Sequence, residues 1–118
     1  MESLFVMKIQ LLYWPGCPSH EEGLTRINKI IGEEGITSEV EIVSVNSEEE
    51  ARKLKFAGSP TFLINGKDLD ARGAIGQSAV LTCRVYQWPD GRYSALPSEE
   101  MIRDAVRNAI TEEKREGV

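Results

Sequence analysis

A chain of 118 residues with 41% hydrophobic side chains has material for one modest core; it is too short for two ordinary domains and too apolar to be disordered. Fourteen Lys and Arg against 19 Asp and Glu leave a net charge of −5 with no basic run, so neither nucleic acid nor an anionic membrane is an expected partner. Two cysteines exclude a disulfide scaffold, and with a single His they fall short of the ligand set of a tight zinc site, so no metal or other cofactor is expected.

The opening, Met1 to Lys8, lacks the basic segment and long apolar run of a secretion signal. The apolar run from Leu4 to Trp14 is broken by Lys8 and Gln10 and is far short of the roughly 20 residues of a membrane span. A cytoplasmic, reducing setting is the expectation, in which a cysteine serves redox chemistry, catalysis or metal binding rather than a permanent cross-link.

Val6 to Tyr13 is short, apolar and β-rich, and reads as a buried strand. Trp14-Pro15-Gly16-Cys17-Pro18 stops it, because neither proline can extend a ladder. A helix follows from about Ser19 to Gly32, with Leu24, Ile27, Ile30 and Ile31 as its apolar stripe and Pro18 suited to its first position. Glu39 to Val45 reads as a second strand. Asn46 or Ser47 caps a short acidic helix, with Glu50 at capping-box spacing from Ser47, Ala51 and Leu54 as its buried face, and an end at Ala57-Gly58. Thr61 to Ile64 is a third strand, turned by Asn65-Gly66 into Lys67 to Leu69. Asp70 to Leu81 reads as a loop, Cys83 to Tyr86 as an extended segment, and Asp90-Gly91 as a turn. Ser98 caps the last helix, whose stripe is Met101, Ile102, Ala105, Val106, Ala109 and Ile110. The order β-α-β-α-β-β-α predicts a single α/β domain over residues 1–118: a mixed four-stranded sheet with helices on both faces. Its core is expected over about 7–110, with 1–6 and 112–118 peripheral.

Cys17 is the most informative side chain. It stands between a strand and the first turn of a helix, where N–H groups and the macrodipole favour an anion, so an exposed and activated thiol is expected over the alternative of a small buried thiol filling space. His20 lies one helical turn on, and three roles stay open for it: a base or charge partner of Cys17, a metal ligand, or a solvated first-turn residue. Pro60 reads either as an ordinary strand-start proline or as a cis Ser59–Pro60 bond holding a loop beside Cys17.

These features together resemble the thioredoxin family over roughly Met7 to Ile110. The matching features are a thiol at the strand–helix junction, Gly58-Ser59-Pro60-Thr61 about 40 residues later, the Asn-Gly hairpin and the closing amphipathic helix. More narrowly, the chain is similar to small bacterial and archaeal thioredoxin-like proteins, some carrying an alkylmercury lyase label. The shared pattern is Leu11-Leu12-Tyr13 with Gly16-Cys17-Pro18, then Phe56 with Gly58-Ser59-Pro60-Thr61, then Cys83-Arg84-Val85-Tyr86. The resemblance implies a cis Pro60 facing Cys17 and a thiol–disulfide oxidoreductase acting on a protein or small-molecule thiol or disulfide. In it Cys17 is the attacking thiolate, His20 its neighbour, and Ser59, Pro60 and Trp14 line the substrate site. The chain departs from thioredoxin proper in lacking Trp-Cys-Gly-Pro-Cys: His20 stands where the second cysteine belongs, and Cys83, also a cysteine in the narrower group, is either the resolving thiol or a buried or edge-strand cysteine. Arg84 either favours a nearby thiolate or is solvated. The other readings are a soft-metal thiol site for mercury, copper or arsenic, an organomercurial-processing enzyme with Asp68 or Asp70 as proton donor, and a non-catalytic binding module. The oligomeric state is not legible in the sequence.

Overall fold

The computed structural model describes residues 7–71 and 81–116. Most of the loop expected over Asp70 to Leu81 therefore lies outside the described residues, as do 1–6.

The chain is a mixed α/β fold with a four-stranded sheet and, among the described residues, three helices. Strand β1 (Ile9–Tyr13) occupies the interior of the sheet, parallel to β2 (Val40–Ser44) and antiparallel to β3 (Thr61–Ile64). The order is β2-β1-β3-β4, with β4 (Lys67–Asp68) returning antiparallel from β3. Asn65 and Gly66 take φ of 54° and 81°, the left-handed pair that a two-residue hairpin turn of matching twist requires.

The period of two along β1 sorts its side chains between two cores. Ile9 and Leu11 join Phe62 and Ile64 of β3 against α1 (His20–Glu33) and α3 (Glu99–Glu116), which contribute Ile27, Ile30, Ile31, Ile102, Val106 and Ala109. Leu12 turns the other way, to Val45, Phe56 and Ala51 of α2 (Glu48–Leu54). Gly23 lets α1 settle on this sheet: a Cβ there would meet Phe62 and Leu96 at 3.1 Å.

The helix ends follow their capping chemistry. The Ser47 hydroxyl accepts from the Glu50 N–H at 3.1 Å while the Glu50 carboxylate accepts from the Asn46 N–H at 2.8 Å. The Ser98 hydroxyl accepts from the Met101 N–H at 3.1 Å to open α3.

Four local expectations are corrected. β1 begins at Ile9 rather than Val6. α2 ends at Leu54, because Lys55 takes the left-handed conformation and reverses the chain so that Phe56, not Leu54, fills the core; Leu54 is exposed. Pro18 sits in the turn before α1, which starts at His20. The segment Cys83 to Tyr86 is not one strand: Cys83 forms an isolated bridge to Ser59, whereas β5 (Tyr86–Gln87) pairs with β6 (Tyr93–Ser94) about the Asp90-Gly91 turn. No helix among the described residues is long and apolar enough to cross a membrane.

The two ends of the burial scale give a contrast. Ile102 is fully buried between α1, α3 and the sheet, so Ile102→Ala should lower the unfolding free energy by about 2–5 kcal/mol. Ile42, on the outer strand and half exposed, should cost less than about 0.5 kcal/mol as Ile42→Ala. Urea denaturation with an unchanged slope measures both.

Candidate functional site

The site is assembled at the carboxyl end of β1, where three segments meet. The first is the turn Trp14–Cys17, closed by the Cys17 N–H donating to the Trp14 carbonyl at 2.9 Å. The Trp14 ring folds over Gly16 so closely that a Cβ there would lie 2.4 Å from it. The second is Gly58-Ser59-Pro60, whose Ser59–Pro60 peptide bond is cis. The third is Thr82-Cys83-Arg84, laid beside it: the Ser59 N–H donates to the Thr82 carbonyl at 2.8 Å and the Arg84 N–H donates to the Ser59 carbonyl at 2.9 Å. Ser59 also ties in the first segment, its hydroxyl accepting from the Trp14 N–H at 3.0 Å.

This stitching brings Cys17 and Cys83, 66 positions apart, to an Sγ–Sγ separation of 2.9 Å. A covalent disulfide is about 2.05 Å long, so the pair is held as two thiols in contact. Cys83 donates to the Cys17 sulfur, and Cys17, when protonated, donates in turn to the Ser59 carbonyl at 3.5 Å. Ionising Cys17 gives up the second bond and keeps the first. Burial pushes the Cys17 thiol up, but donation from the Cys83 thiol, the Ser19 backbone and the Ser59 and Ser19 side chains outweighs it and holds Cys17 below the ordinary thiol value. Cys83 is pushed up, first by the hydrogen bond it would surrender, then by burial and the neighbouring charge. The two protons therefore belong to one coupled pair, with the first charge on Cys17.

Exposure runs opposite to the expectation from sequence. Cys17 is 0% exposed, whereas Cys83 is open to solvent. The strand–turn–helix placement does favour the thiolate, but the Cys83 segment and the Ser59 loop cover it.

The other predicted residues divide. Ser59 lies against the pair, with Pro60 next to it across the cis bond, and Trp14 reaches Ser59 through its backbone. The His20 ring stacks on Tyr13 at 4.2 Å, and Nδ1 lies 3.1 Å from the Cys17 carbonyl oxygen, to which it donates when that nitrogen carries the proton. Among the described residues no three His, Cys, Asp or Glu side chains converge as a cation site.

Four residues that sequence reasoning missed or misassigned fasten the third segment. Arg84, weighed as solvated or as a thiolate partner, is 3% exposed and forms a bidentate pair with Asp68 at 2.7 and 2.8 Å. It also donates to the Asp70 carbonyl at 2.9 Å, and its guanidinium lies 4.4 Å from the centre of the Tyr86 ring. Tyr86 is fully buried and donates to the Pro60 carbonyl at 2.6 Å. Gly58 makes the approach possible: its φ is +116°, and a Cβ there would stand 2.9 Å from Arg84 Cβ. The signal for Asp68 was its place just past the Asn-Gly turn, which carries the carboxylate back beneath the third segment; nothing in the local sequence marks Arg84 as buried.

Comparison with protein-family models, curated proteins and solved structures returns no match to this chain.

Two outcomes are expected. Asp68→Ala leaves a buried guanidinium without its partner and should cost about 3 kcal/mol or more in urea denaturation. Thiolate absorbance of the reduced protein should rise in two steps, one below and one above the ordinary thiol range; in Cys83→Ala, the Cys17 step should move upward because its thiol donor is gone.

Proposed function

We propose that the protein is a thioredoxin-like thiol–disulfide oxidoreductase working with the Cys17–Cys83 pair. The observation that carries this reading is the 2.9 Å contact between the two sulfurs, one of them favoured as a thiolate. Closing the pair removes two protons and two electrons and forms one S–S bond; a substrate disulfide takes up the electrons and leaves as two thiols, and the reverse reaction oxidises substrate thiols. Cys83 supplies the second thiol of the couple from a segment bridged to Ser59, where a C-x-x-C motif would carry it in the first turn of α1. The strand–turn–helix setting of Cys17 and the Ser59–Pro60 loop against it support the resemblance to thioredoxins.

Soft-metal capture has less support: among the described residues no third His, Cys, Asp or Glu side chain joins the two sulfurs. Organomercurial cleavage needs a proton donor at the thiols, and Asp68 is instead engaged by both Arg84 nitrogens.

Reduction of insulin disulfides with dithiothreitol as electron donor tests the reading. The native protein should accelerate it, and Cys17→Ser and Cys83→Ser should each lose roughly tenfold or more. A fully active Cys17→Ser variant would overturn it.

A further inference from the structure

We propose that Cys83, not Cys17, is the sulfur that meets the external thiol or disulfide, and that Cys17 reacts only with Cys83. The proposal rests on the dithiol reading above and assigns its direction. It reverses the order expected from the strand–Cys–Pro–helix placement, in which Cys17 attacks the substrate and Cys83 resolves.

Access decides the matter first. Thiol–disulfide exchange requires the incoming sulfur to reach the attacked one in line with the bond that breaks, so its rate depends on which sulfur is open. Cys17 is 0% exposed, enclosed by the Ser59 carbonyl at 3.5 Å and the Cys83 sulfur at 2.9 Å, whereas Cys83 faces solvent. Thr82 beside it and Val85 two residues on are also exposed.

Cys83 is also not a lid that swings aside to uncover Cys17. Its segment is fastened on both sides by the Ser59–Thr82 and Arg84–Ser59 backbone bonds. Arg84 is locked into its buried pair with Asp68, and Tyr86 into the Pro60 carbonyl. Uncovering Cys17 would break all of these together, whereas reaching Cys83 breaks none.

The chemistry closes in this order. An external thiolate attacks the Cys83 sulfur of the internal disulfide. A new S–S bond forms to Cys83, the Cys17–Cys83 bond breaks, and its electron pair leaves on Cys17. A second external thiolate attacks the outer sulfur of the mixed disulfide and departs with it as a small disulfide, and Cys83 takes its proton from water. Run backwards, Cys83 gives its proton to water and attacks the external disulfide as a thiolate, expelling one external thiolate; the Cys17 thiolate then closes onto Cys83 and expels the second. With Cys83 bonded to the external sulfur, the Ser19 backbone and the Ser19 and Ser59 side chains are the donors left to receive the charge on the departing Cys17.

Glutathione and glutathione disulfide are the probes. Reduced Cys17→Ser should take up glutathione from its disulfide on Cys83. Reduced Cys83→Ser should react at Cys17 roughly tenfold or more slowly, and recover the rate of an open thiol only when unfolded in urea. In parallel, oxidised native protein is given limiting glutathione, quenched in acid and mapped by peptide mass. Glutathione found on Cys83, with Cys17 free, is the expected result. Glutathione on Cys17, or a folded Cys83→Ser that reacts as fast as Cys17→Ser, would overturn the assignment while leaving the dithiol reading standing. Oxidised native protein with no Cys17–Cys83 disulfide would overturn the dithiol reading itself, and the assignment with it.

Discussion

Ser59 is the residue on which the site depends. It is completely buried, and every polar group it carries is spent on joining segments that are remote in the chain. Its N–H and carbonyl hold the Cys83 segment on either side, its hydroxyl holds the turn after β1, and the same carbonyl accepts from Cys17 when that thiol is protonated. A carbonyl oxygen has two lone pairs, and here both are used. A buried backbone group left without a partner costs as much as a lost hydrogen bond, so the three segments cannot drift apart singly. The sulfur contact follows from this stitching, which brings Cys83 close enough to donate to the Cys17 sulfur.

The same logic accounts for the buried charge nearby. A guanidinium taken out of water is costly unless it is paired with good geometry, and Arg84 is paired at two nitrogens by Asp68 and stacked on Tyr86. The Asn65-Gly66 turn delivers the carboxylate, and Gly58 gives the room. A structural ion pair thus determines where an exposed cysteine sits, and that position governs how the buried one can react. The proposed division of labour between Cys17 and Cys83 rests on burial and hydrogen bonding together: one sulfur has the donors, the other has the access.

Much of this was legible in the sequence because it is local. Strand β3, the Asn-Gly turn, the Ser47 and Ser98 caps and the apolar stripes of α1 and α3 each follow from a few adjacent residues and a period. The exceptions were where the chain reports on distant contacts. Leu54 has the spacing of a buried helical residue but lies exposed, because Lys55 reverses the chain one residue later and brings Phe56 inward. The strands β5 and β6 are two residues each and show no alternation to read. Arg84 has a solvated residue's composition and a core residue's position, and only Asp68, 16 residues away, explains it. The helix-start placement of Cys17 was legible because it is local; its burial and its strongest donor, the Cys83 thiol, were not, since both depend on a segment 66 positions on.

The central claim is that Cys17 and Cys83 act as one two-electron couple. The direct measurement is an equilibrium titration of the native protein against dithiothreitol redox buffers, with the thiol state read by alkylation and peptide mass. The account predicts a single two-electron transition in which both thiols disappear together and reappear together as the Cys17–Cys83 disulfide within one chain. Two cysteines that oxidise at separate potentials, or that form disulfides only between chains, would contradict it.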